Sequence, residues 1–117
     1  MIAPSILNAD NMHLSRDIKA AIESGIERFH IDIMDGHFVP NLSYGPELVK
    51  DFKRSFPFTK AEIHLMSNNL DTTLPLFVEA GADILEFHYE ATNKTDYWLD
   101  YLKDHNVRFG MAINPST

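Results

Sequence analysis

The sequence contains no cysteine, which excludes disulfide bonds and thiolate chemistry. Its first residues, Met1-Ile2-Ala3-Pro4-Ser5, lack a basic stretch and meet a proline at once, so they do not read as a signal peptide. No apolar run approaches the length of a membrane span. A soluble, cytoplasmic protein is the expectation. Positive charge is also scarce: ten Lys and Arg stand against seventeen Asp and Glu, for a net charge of −7. Such a chain repels nucleic-acid phosphates and anionic lipid, so neither nucleic acid nor membrane is expected as a partner. An anionic metabolite would need local positive help, from a metal ion or from N–H groups at a helix N-terminus. A Gly-rich dinucleotide fingerprint is missing as well: Leu7-Asn8-Ala9-Asp10 follows the first apolar run.

What is there is an ordinary globular composition, 44% hydrophobic and 23% charged over 117 residues. That length fits one domain at most. Five short apolar runs recur, Ile2–Leu7, Arg28–Met34, Glu62–Met66, Ile84–His88 and Arg108–Ile113. Helically spaced stripes separate them. Leu14, Ile18, Ala21 and Ile22 form one, and Leu48, Val49, Phe52 and Phe56 another. Leu74, Phe77 and Val78 form the third, and Trp98, Leu99 and Leu102 the fourth. Gly25 and Gly81 follow helical stretches as C-terminal glycines do. Pro46 suits a first helical turn. Asp71 or Thr72 is expected to cap the third helix, with Pro75 in its first turn, and Thr95 or Asp96 to open the fourth.

Two segments look like copies of one unit: Ala21-Ile22-Glu23-Ser24-Gly25-Ile26-Glu27 and Phe77-Val78-Glu79-Ala80-Gly81-Ala82-Asp83. Each ends a helix and leads into an apolar run, which suggests a repeating architecture. Strict alternation of strands and helices implies a parallel sheet with helices packed outside it.

Strand alternation then sorts the side chains. In His30-Ile31-Asp32-Ile33-Met34, the isoleucines share one face and His30, Asp32 and Met34 the other. In Glu62-Ile63-His64-Leu65-Met66, Ile63 and Leu65 share one face and Glu62, His64 and Met66 the other. A parallel strand covered on both sides is apolar on both faces. Here one aliphatic face suits the helices, and the polar face suits a barrel interior near its C-terminal mouth, where barrel enzymes keep their sites. His30, Asp32 and His64 then converge. Two imidazoles and a carboxylate suit zinc, iron, manganese or cobalt without choosing among them. A lone strand histidine is ordinarily a hydrogen-bonded packing residue, but an unpaired buried aspartate is costly and demands a partner.

Met34 and Met66 sit two residues beyond these groups and equally suit gap filling. Ser5 lies beside Pro4 as a small inward residue. His88 ends a run and can face the mouth, while His105 lies near a helix C-terminus. His13 and His37 are weaker candidates. Asp35-Gly36-His37-Phe38-Val39-Pro40-Asn41 reads as a loop over the site or as a plain connector.

The motifs Ala3-Pro4-Ser5-Ile6-Leu7-Asn8-Ala9-Asp10, His30-Ile31-Asp32-Ile33-Met34-Asp35-Gly36-His37-Phe38-Val39-Pro40-Asn41, Ile63-His64-Leu65-Met66, Ala80-Gly81-Ala82-Asp83, His88-Tyr89-Glu90-Ala91 and Gly110-Met111-Ala112-Ile113-Asn114-Pro115 resemble those of the ribulose-phosphate 3-epimerase family. They run the length of the chain in family order. The resemblance implies a metal-dependent (β/α)₈ barrel that interconverts D-ribulose 5-phosphate and D-xylulose 5-phosphate. By position, His30, Asp32 and His64 match three of four metal ligands, and Asp32 also matches one of two acid/base carboxylates. Ser5 and His64 match substrate-contacting residues, and Met34 and Met66 match methionines lining the reacting carbons. The resemblance also implies a phosphorylated ketose as partner, one divalent metal ion, and a homo-oligomer.

In the family the second carboxylate, the fourth ligand and the phosphate loops come from later barrel units. An eight-unit barrel needs roughly 200 to 250 residues. Residues 1–117 are therefore expected to be the N-terminal part of a single barrel domain, about five strands and four helices, and inactive alone. A hexulose-phosphate epimerase, acting on allulose 6-phosphate, is the near alternative. A non-catalytic half barrel is the distant one.

Overall fold

The structure is a computed structural model that describes residues 3–113 and Pro115, with Asn8 described by its backbone alone. Four helices alternate with four strands: α1 (Leu14–Glu23), β1 (Arg28–Met34), α2 (Pro46–Ser55), β2 (Lys60–Met66), α3 (Leu70–Ala80), β3 (Ile84–His88), α4 (Thr95–Asp104) and β4 (Arg108–Ala112). The strands form one parallel sheet in the order β1-β2-β3-β4. Each strand lies beside the next in sequence, with no reversal of order. An open doubly wound sheet reverses and carries helices on both faces.

Here all four helices cover one face. Phe29, Ile31, Ile33, Ala61, Ile63, Leu65, Leu85 and Phe87 point toward them and are buried. Ile18 of α1, Val49 and Phe52 of α2, Leu74 and Phe77 of α3, and Trp98 and Leu102 of α4 pack against that row. The sheet is the wall of a partial (β/α)₈ barrel, and its other face is the barrel interior.

Of the five expected strands, four form among the described residues. Ile2 lies outside the described residues. In the rest of the Ile2–Leu7 run only Ser5 pairs, in a single parallel bridge to His30, with the His30 N–H donating to the Pro4 carbonyl at 2.9 Å. The cause is local. Pro4 has no N–H to extend a ladder, and the Ser5 hydroxyl accepts from the Leu7 N–H at 3.3 Å, turning the chain into a short 3₁₀ helix at Ile6–Asn8. Strand β2 starts two residues earlier than expected and β4 stops one residue earlier. Asn114 of the last motif lies outside the described residues.

Helix ends follow the sequence closely. Pro46 occupies the first turn of α2. Gly81 ends α3 in the left-handed region, with φ of 108°, where a side chain would be strained and its Cβ would press on Lys53 Cγ at 3.1 Å. Helix α3 itself starts earlier than expected, at Leu70 after Asn69, which places Asp71 in the first turn and Pro75 inside the helix. Asp71 there favours the positive helix end. At the opposite end of the sheet from the strand C-termini, Asp83 Oδ2 accepts from Lys53 Nζ at 2.7 Å and from the Ala61 N–H at 2.8 Å. That pins the start of β3 to β2 and α2.

Candidate metal and acid–base site

The register of β1 on β2 sets His30 opposite Glu62, Asp32 opposite His64, and Met34 opposite Met66. Because side chains alternate, all six project from the interior face. Strand β3 adds Glu86 and His88 to that face, since Glu86 pairs with His64 across the ladder. The interior of this half barrel therefore carries imidazoles and carboxylates in adjacent rows.

Asp32 is the hub. Its Oδ1 lies 2.9 Å from His30 Nε2 and 3.1 Å from His64 Nδ1. Its Oδ2 accepts from the Ser5 hydroxyl at 3.3 Å. Four of the six sequence-predicted site residues thus meet at one carboxylate. Met34 and Met66 lie on the same face as ladder partners at the strand ends, with Met66 buried and Met34 half-buried.

Atoms that share one cation at about 2.0 to 2.2 Å lie roughly 3 to 3.5 Å from each other. Asp32 Oδ1 is near that spacing from both imidazole nitrogens, the three donor atoms all lie within 4.8 Å of one another, and each can present a lone pair. Burial is the largest influence on His64 and lowers its pKa, with the charge of His30 acting the same way and Asp32 opposing. A neutral imidazole is the form that ligates a metal. The donor set therefore fits a divalent cation. His30 also reaches a second group, with Nδ1 at 3.5 Å from Glu62 and 3.9 Å from Glu86.

Other residues support the cluster without having been singled out from sequence. The Ser43 hydroxyl donates to the Asp32 carbonyl and accepts from the Met34 N–H at 2.9 Å. That fixes the end of β1. Gly110 of β4 faces Glu86, and a Cβ there would lie 3.1 Å from Glu86 Cγ, so glycine leaves the space that Glu86 fills. Burial, followed by the neighbouring Glu62, raises the pKa of Glu86. The alternation in Ile84-Leu85-Glu86-Phe87-His88 was the signal available for Glu86.

Among the weaker histidine candidates, the structure separates His88 from the rest. His88 is 7% exposed and its Nε2 lies 2.8 Å from His64 Nε2. By contrast, exposed His13 pairs with Asp10, and exposed His105 bonds the Tyr101 carbonyl near the end of α4. The loop after β1 lies over the site: Asp35 Oδ1 accepts from the N–H groups of His37 and Phe38, both at 2.8 Å. The Phe38 ring then rests against His88, with centroids 5.1 Å apart.

An imidazole–carboxylate cluster toward the strand C-termini of a half-barrel wall occupies the place where barrel enzymes keep their sites. The whole chain, residues 1–117, matches the model of the Ribulose-phosphate 3 epimerase family, and the chain belongs to that family. It is 40% identical over 116 residues to the ribulose-phosphate 3-epimerase of Buchnera aphidicola subsp. Schizaphis graminum, covering 99% of this chain and 51% of the relative. It is 38% identical over 117 residues to the enzyme of that name from Escherichia coli K12, covering all of this chain and 52% of the relative. The Rhodobacter capsulatus protein of the same name is 40% identical over 116 residues, 99% of this chain and 50% of the relative. The chain spans about half the length of these curated relatives. No helix among the described residues is long and apolar enough to cross a membrane.

Proposed function

We propose that this chain carries the metal-binding and first acid/base part of a ketose-phosphate 3-epimerase that interconverts D-ribulose 5-phosphate and D-xylulose 5-phosphate. The observation that carries the reading is the meeting of His30, His64 and Ser5 at the Asp32 carboxylate, in a chain of this family.

Inverting C3 requires removing its proton on one face and returning one on the other. Asp32 takes the C3 proton as general base, and the C–H electron pair moves toward the C2 carbonyl to give an ene-diolate. Protonation on the opposite face completes the inversion, and a second carboxylate, contributed by a further barrel unit, performs it. His30, Asp32 and His64 hold one divalent ion, zinc, iron, manganese or cobalt. When bound, that ion supplies positive charge that stabilises the developing negative charge. Ser5 and His64 contact the substrate. Met34 and Met66 offer the planar intermediate an uncharged, polarisable surface. Residues 1–117 form the N-terminal part of a single barrel domain. Cytoplasmic location, assembly as a homo-oligomer, and inactivity of residues 1–117 alone go with this reading.

The test is turnover by the complete gene product, loaded in turn with each of the four metals, on D-ribulose 5-phosphate and on allulose 6-phosphate. A higher kcat/KM on the pentulose is expected. Preference for the hexulose would overturn the pentulose assignment while keeping the reaction class. Turnover of neither sugar with any metal would favour a non-catalytic half barrel.

A further inference from the structure

Two imidazole nitrogens 2.8 Å apart, as His64 Nε2 and His88 Nε2 are, share one proton. Two N–H groups would collide, and two lone pairs would repel. Which ring owns that proton decides what His64 presents on its other side, because a neutral imidazole carries a single N–H.

The surroundings of His88 decide it. The ring is buried against Phe38 and meets His64 edge to edge, with the two imidazole centroids 4.9 Å apart and their planes within 22°. Among the described residues the His88 Nδ1 has no hydrogen-bond partner, and Glu90 Oε1 lies 3.7 Å from it. A carboxylate facing Nδ1 favours the tautomer with the proton there. Nε2 of His88 then holds a lone pair and accepts from His64 Nε2–H. His64 is left with its Nδ1 lone pair aimed at the Asp32–His30 corner, 3.1 Å from Asp32 Oδ1. Two lone pairs facing at that distance need a cation between them.

We infer that His88 is a positioning residue: by accepting the His64 Nε2–H bond it fixes the tautomer and ring angle in which His64 Nδ1 ligates the divalent ion, with Glu90 orienting His88 in turn. Groups of this kind behind a ligating histidine set its orientation and basicity. The inference rests on the reading of His30, Asp32 and His64 as the metal site.

The test uses the complete protein with zinc as the probe, titrated against a chromophoric chelator. His88→Phe keeps an aromatic ring against Phe38 but removes the acceptor. His88→Gln keeps an acceptor. Zinc affinity is expected to fall about 10- to 100-fold in His88→Phe and to recover most of that loss in His88→Gln. Independently, ¹⁵N NMR of the unmodified zinc-loaded protein should show the His64 proton on Nε2. Equal zinc affinity in parent and His88→Phe, or a His64 proton on Nδ1, overturns the inference while the metal site stands. Absence of zinc binding by the parent overturns the metal site and this inference together. If His88→Phe does not fold, the NMR tautomer decides alone.

Discussion

Asp32 and His64 are ladder partners across β1 and β2, and their side chains meet on the interior face with Oδ1 3.1 Å from Nδ1. One strand pairing therefore brings together the proposed base and a proposed metal ligand, 32 residues apart. Replacing Asp32 with Asn keeps the shape and removes the charge. Turnover of D-ribulose 5-phosphate is expected to fall by at least about 10²- to 10⁴-fold, with far-UV dichroism unchanged. His64→Ala and His30→Ala are expected to lower bound metal, read by elemental analysis. Near-normal turnover in Asp32→Asn, or undiminished metal in both histidine variants, would remove these roles.

The loop over the site depends on an ionised Asp35. Burial is the largest single influence on this carboxyl and acts to raise its pKa, but the N–H groups of His37, Phe38 and Asn68, with the charge of the His37 side chain, together outweigh it and leave the pKa lowered. A lowered folded-state pKa means the loop is stabilised above the unfolded carboxylate range, with the effect lost as pH falls through the folded value. Amide proton shifts of His37 and Phe38 should therefore titrate together, below the ordinary aspartate range. In Asp35→Asn that titration should vanish; its persistence would assign it to another group.

Leu85 is fully buried on the helix-facing side of β3. Leu85→Ala is expected to destabilise the protein by about 2 to 5 kcal/mol, through lost transfer energy and the cavity left behind. The midpoint of urea unfolding measures it. A negligible shift would mean that this face is not packed as described.

Asp83 accepts from both Lys53 and the Ala61 N–H. Asp83→Ala leaves a part-buried ammonium and a backbone donor without that acceptor, at a cost of about 1.5 to 3 kcal/mol. Because Asp83 lies far from the strand C-termini, metal binding at saturating zinc should be unaffected. A large loss of metal affinity at native-like stability would contradict that separation.

Much of the site was legible in two short segments. In His30-Ile31-Asp32-Ile33-Met34 and Glu62-Ile63-His64-Leu65-Met66, the period-two pattern already separated an aliphatic face from a polar one. The same alternation in Ile84-Leu85-Glu86-Phe87-His88 sets Glu86 and His88 on one face, a signal that was not used for Glu86, and nothing local showed that either would reach β1 or β2 residues. The first apolar run misled, because its composition suits a strand while Pro4 and the Ser5 hydroxyl, acting over three residues, end the pairing at one bridge. The start of α3 was displaced for a similar reason. The Ser67 hydroxyl accepts from the Asn69 N–H at 3.1 Å and turns the chain before either expected cap.

The sequence by itself determined the order of elements, the donor types and the face each donor occupies, because these follow from local periodicity and from Gly and Pro chemistry. Only the tertiary structure decided which donors touch. A one-residue slip of β2 against β1 would send His64 to the helix side and leave Asp32 without it. What prevents the slip is the burial of Ile31, Ile33, Ile63 and Leu65 under the helices, a packing energy that exists only once the chain has closed over them.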